Sequence, residues 1–81
     1  MIAVVGIALS RKKAAQKVNE VLGQFANLIL GRMGIPSPQQ DLALIALIVQ
    51  GKRDELAALT GKLGNIKDVR VRLAVTSEEK F

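Results

Sequence analysis

The chain has no His, no Cys, no Trp and no Tyr, and only two Phe among its 81 residues. Without Cys there is no disulfide framework and no thiolate metal site. Without His the commonest transition-metal ligand is gone, leaving seven carboxylates as the only strong donors. Ser10 and Thr60 lack an imidazole to activate them as nucleophiles. The carboxylates are scattered over loops, helix ends and the C-terminal tail, so no general acid or base pair stands out. An enzyme is therefore not expected, and neither a metal nor a cofactor is implied. With only Phe25 and Phe81 to stack on bases, aromatic recognition of single strands is also poorly supported.

Acidic residues are scarce beside basic ones, seven against twelve, giving a net charge of +5 and an isoelectric point near 10.1. Such a balance invites phosphate-bearing partners. A charge of this size is also ordinary for keeping a small domain in solution, and that plainer reading is the stronger one. A single domain of this length buries only about 60 to 65% of its unfolded surface, so its core is marginal. With disulfides excluded, self-association is the remaining reinforcement.

What the sequence does hold is apolar residues in two nearly unbroken runs, Met1 to Leu9 and Leu42 to Val49. A half-exposed strand alternates apolar with polar, whereas these runs are apolar at both parities, so both faces of each strand require cover. One small domain covers one face; a second copy is the simplest cover for the other. The first run does not read as a signal peptide, because Arg11, Lys12 and Lys13 follow it instead of preceding it. It is also far short of the roughly 20 residues a membrane helix needs. A cytoplasmic protein is expected, in keeping with the lack of Cys.

Ile2 to Leu9 reads as a strand and Ser10 as the cap of a helix over Arg11 to Gln24, whose apolar stripe is Ala14, Val18, Val21 or Leu22, and Phe25. Leu28 to Met33 reads as a short strand broken by Gly31, with Gly34, Pro36, Ser37 and Pro38 in a loop. Leu42 to Gln50 is the third strand, ended by Gly51. A second helix follows, with Asp54 and Glu55 near its positive end, a Leu56, Leu59 and Leu63 stripe, and Gly64 as a left-handed closing residue. Val69 to Val75 alternates as a last strand, and Thr76 to Phe81 reads as a polar tail.

This order, strand, helix, strand, strand, helix, strand, predicts an α+β ferredoxin-like βαββαβ sandwich with a four-stranded antiparallel sheet and both helices on one face. Residues 1–76 form the one expected domain and 77–81 the tail. The first and third strands take the central places and the Arg-bearing second and fourth the edges. The uncovered face, drawn from one parity set such as Ala3, Val5 and Ile7, predicts a homodimer or homotetramer through the sheet, with Arg70 and Arg72 at the rim.

Thr60-Gly61-Lys62-Leu63-Gly64-Asn65 has glycines beside a Lys but closes a helix instead of opening one, so it is not read as a phosphate loop. Gly61 is not needed for capping and suggests close packing or a ligand's approach. Arg32 reads first as an edge-strand guard and second as an anion or partner contact.

Val18-Asn19, Leu22, Phe25, Arg32-Met33-Gly34-Ile35-Pro36 and Leu59 to Ile66 leading into Val69-Arg70-Val71-Arg72 together resemble the iron-only hydrogenase system regulators. That family has an ACT-like, ferredoxin-like fold related to the C-terminal domain of nickel-responsive repressors. Asp68 departs from it, since similar proteins usually have Gly there; Asp tolerates tight backbone. The resemblance implies regulation and self-association. It does not carry over nickel sensing, which needs His and Cys, and with the first strand read from Ile2 no ribbon-helix-helix arm is expected before it. ACT domains commonly bind an amino acid near the loop that is Ser10-Arg11-Lys12-Lys13 here, but the usual acidic or glycine-rich pattern is missing.

The leading expectation is thus a non-enzymatic regulatory or ligand-sensing homo-oligomer. Arg32, Lys62, Arg70 and Arg72 are its candidate contacts to a small anionic effector or to another protein. A nucleic-acid binder using Arg11, Lys12, Lys13 and Lys17, or a purely structural interaction module, is the alternative.

Overall fold

The computed structural model describes residues 1–37 and 40–78. Strand β1 (Ile2–Leu9) leads into helix α1 (Arg11–Gln24). A 3-10 turn (Ala26–Leu28), strands β2 (Ile29–Ser37) and β3 (Leu42–Gln50), helix α2 (Arg53–Gly64) and strand β4 (Val69–Ser77) complete the chain. The sheet order is β2-β3-β1-β4 with every pairing antiparallel. This is the ferredoxin-like arrangement, with the two most apolar strands at the centre and the Arg-bearing ones at the edges.

Local causes are visible at each junction. Ser10 caps α1 by accepting the Lys13 amide at 3.2 Å, and Glu55 accepts the Lys52 amide at 2.8 Å to start α2. Gly51 fits closely where β3 turns into α2: a Cβ there would lie 3.1 Å from a Leu28 methyl, so any larger residue makes that leucine give way. One parity set of the central strands, Ala3, Val5, Ile7 and Leu9 with Ile45, Leu47 and Val49, packs beneath Ala14, Val18 and Leu22 of α1 and Leu56, Leu59 and Leu63 of α2. These side chains are essentially sealed from water, and burying each of the valines, leucines and isoleucines contributes on the order of 1.5 to 3 kcal/mol.

Five expectations are corrected. The residues drawn as the uncovered parity set, Ala3, Val5 and Ile7, are the helix-covered core; the open face is instead Ile2, Val4, Gly6 and Ala8. Runs apolar at both parities carry no signal for which set turns inward. Strand β2 extends through Gly34, Ile35, Pro36 and Ser37, residues expected in a loop. It is an edge strand, and there a proline without an N–H is accommodated. Gly64 is the last residue of α2, not a left-handed closure; no described glycine has positive φ, and Asp68 takes that conformation at φ 66°. Its short polar side chain tolerates the geometry. Gly61 has open space where a Cβ would stand, so close packing within the fold does not account for it, and of the two expected roles only a ligand's approach is left. Finally, Thr76 and Ser77 continue β4, with the Thr76 hydroxyl donating to the Ile2 carbonyl at 3.0 Å. Pro38 of the expected loop and residues 79–81 of the expected tail lie outside the described residues.

Among the described residues, no helix is long and apolar enough to cross a membrane.

Candidate ligand cleft and open sheet face

Two features of the surface are adjacent and chemically different. The first is a cleft of about 730 Å³ between the start of α1 and the β2–β3 hairpin. Arg11, Lys12, Asn19, Arg32 and Asp41 supply its polar lining. Arg32 projects from β2 toward the helices, and its guanidinium donates to the Asn19 side-chain oxygen at 2.7 Å. Asn19 is itself held in place by donating to the Ala15 carbonyl at 2.9 Å. Arg11 donates to the Ser37 carbonyl at 3.3 Å, which ties the helix start to the end of β2.

Asp41 stands between these cations. Its carboxylate accepts the Ser10 hydroxyl and, at 2.9 Å, the Lys12 amide. These bonds, the Ser10 one foremost, hold the carboxyl below its usual range. The chain's own carboxylate thus meets the free amides at the positive end of α1. Three cationic side chains therefore share a cleft with one carboxylate that already has partners.

The second feature is the open face of the sheet. Its exposed large side chains are Met33 (65%), Ile35 (59%), Leu44 (48%) and Ile48 (43%). A shallow trough of about 450 Å³ runs beside them over Gly6, Ala8 and Ala46, bounded on the far side by Arg70 and Arg72. Among the described residues neither arginine has a carboxylate partner; the sole ion pair joins Arg53 to Glu78 at 3.3 Å, and both of its side chains are exposed. Such a pair adds little stability.

The candidate residues are redistributed accordingly. Arg70 and Arg72 share the open face, as expected from their alternation. Arg32 lies on the opposite, helix-bearing side of the sheet and joins Arg11 and Lys12 from the alternative set. Lys62 belongs to neither site: its ammonium lies 5.5 Å from the Phe25 ring centre and donates to Gln24 at 3.3 Å, fastening the ends of the two helices together. Lys13 and Lys17 are exposed on α1 away from the cleft lining. The sequence alone does not mark Asn19 or Asp41 as site residues. Asp41 reaches Ser10 across 31 positions, a contact with no local signature in the sequence. Among the described residues, no cluster of acidic side chains is placed to hold a metal ion.

The hairpin links the two features. Ile35 and Leu44, paired across β2 and β3, line both the cleft and the trough.

Comparison with known proteins places this geometry in context. A family model described as "TM1266-like: Iron-only hydrogenase system regulator, putative" matches residues 1–73. Among solved structures, protein TM1266 from Thermotoga maritima is 36% identical over 94% of this chain and 96% of its own, with a TM-score of 0.89. A formyltetrahydrofolate deformylase from Pseudomonas putida KT2440 superposes with a TM-score of 0.66 over 93% of this chain and 29% of its own. At 10% identity it shares the fold alone. No curated protein matches the chain.

Proposed function

Because the chain belongs to the TM1266-like family of iron-only hydrogenase system regulators, we propose that it is a cytoplasmic, non-enzymatic regulatory protein that senses a small anionic effector in the cleft and works as a homo-oligomer through its sheet. The observation that carries this reading is the shared hairpin. An anion held by Arg11, Lys12 and Arg32 bears on the β2–β3 end, and there Ile35 and Leu44 also form part of the apolar face. Occupancy of the cleft is then felt on the assembly surface. A ligand gains such leverage only by its differential affinity for the free and assembled arrangements. Planar guanidinium groups favour carboxylate or phosphate, and the cleft's size is in the range of small-molecule sites, about 300 to 1,000 Å³.

Calorimetric titration with orthophosphate and citrate tests this reading. Saturable binding that weakens about ten- to a hundredfold in Arg32→Gln supports it, since losing one charge-assisted contact removes about 1.5 to 3 kcal/mol. Absence of binding, or binding indifferent to Arg32, refutes the assignment. A duplex DNA titration in the same buffer separates the nucleic-acid alternative. There, measurable affinity that falls steeply with salt and depends on Lys13 and Lys17 would displace the effector reading.

A further inference from the structure

The strand registers arrange the open face in three rows that cross the sheet. Met33, Ala46, Gly6 and Arg72 make the middle row. Ile35, Leu44, Ala8 and Arg70 lie on one side of it, and Gly31, Ile48, Val4 and Ala74 on the other. The face is therefore divided along its length. Its β2–β3 half bears the protruding chains of Met33, Ile35, Leu44 and Ile48. Its β1–β4 half is recessed at Gly6, Ala8 and Ala74 and carries both arginines. No carboxylate stands in any row.

We propose that two copies meet open face to open face about a two-fold axis parallel to the strands, each β2–β3 half seated on the partner's β1–β4 half. This rests on the homo-oligomeric part of the reading above and specifies its geometry. With the axis between β1 and β3, each row stacks on its own reverse. Leu44 then meets Ala8 of the partner subunit, Ala46 meets Gly6 of the partner subunit and Ile48 meets Val4 of the partner subunit, so the two central strands make apolar contacts only. Met33 and Ile35 lie over the aliphatic stems of Arg72 and Arg70 of the partner subunit, whose guanidinium groups extend to water at the rim.

The other in-plane two-fold that keeps the strands of the two copies aligned, perpendicular to them, sets β4 on the partner's β4. Arginine would then face arginine, leaving like charges opposed along one edge. Charge selects the strand-parallel axis. The area suffices. Four strands about 4.8 Å apart with eight residues rising about 3.3 Å each present on the order of 500 Å². Two copies together thus bury on the order of 1,000 Å², the scale of a specific interface.

Opposite charges placed at one exposed position test the arrangement. Met33→Glu sets a carboxylate over Arg72 of the partner subunit, and Met33→Lys sets a cation there. Sedimentation of both variants beside the wild-type chain is expected to show the Lys variant dissociating at least tenfold more readily than the Glu variant. Added salt should narrow that gap. The pair Ile35→Glu and Ile35→Lys, facing Arg70 of the partner subunit, should repeat the pattern. Equal dissociation of the Glu and Lys variants, whether raised or unchanged, overturns this geometry while a wild-type oligomer preserves the broader reading. A wild-type chain that remains monomeric overturns both.

Discussion

The two sides of the sheet are made of the same material and meet opposite fates. On one, Val5, Ile7, Ile45, Leu47 and Val49 are closed off by the leucine and valine stripes of α1 and α2. On the other, Val4, Leu44 and Ile48 project from the same two strands, at alternating positions, and the larger two remain nearly half exposed. Aliphatic character alone therefore does not say which side is the core; the helices decide it. What the uncovered side does reveal is its own requirement, since an apolar surface of several hundred Å² on a small domain marks a place where something binds. The cationic cleft adds the second lesson. It lies at the end of the hairpin that edges this surface, so the polar site and the apolar one are joined through Ile35 and Leu44.

Substitutions at neighbouring positions break this comparison most sharply. Leu47→Ala opens a cavity in the sealed side and should lower unfolding free energy by about 2 to 5 kcal/mol, measured by urea denaturation. Ile48→Ala, one residue away, should cost about 1 kcal/mol or less in the dilute monomer. At higher protein concentration its deficit should grow, because assembly stabilises whichever chain retains the interface. Equal losses at the two positions would mean that both sides are structural in the single chain. Leu44→Lys should leave the dilute melting transition within about 0.5 kcal/mol of the parent while abolishing association, read by light scattering. The smallest effect belongs to the cleft. In the folded chain Asp41 holds its proton more weakly than in the unfolded chain. The stabilisation it supplies is thus complete above the ordinary carboxylate pKa and is lost as pH falls through its depressed folded value. Asp41→Asn should accordingly melt below the parent at neutral pH, with the gap closing on acidification. A gap constant with pH would show that Asp41's charge plays no part.

Much of the fold was legible because punctuation and hydrophobicity agreed. Ser10 before Arg11 and Gly51 after Gln50 marked β1, α1 and β3 to the residue, and the Arg-bearing strands took the edges as their polarity required. Where residues carried two meanings, the reading failed. Gly34 and Pro36 are turn formers in most settings, but an edge strand with solvent on one side accommodates them. Gly64 resembled a helix cap, whereas the left-handed position fell four residues later at Asp68, where the resemblance had already marked a departure. The inward parity of β1 was unreadable from a run apolar throughout. Of the site, single cations such as Arg32 stood out in the sequence. Their convergence did not, because the approach of the hairpin to α1, and with it the role of Asp41, exists only once the sheet has formed.

Sedimentation equilibrium of the unmodified chain beside Leu44→Lys, at micromolar concentration and physiological salt, addresses the open face most directly. The parent is expected at twice the 8.7 kDa chain mass or a higher multiple, and the variant at the single-chain mass. A parent that sediments as one 8.7 kDa chain, indistinguishable from the variant, would contradict that expectation.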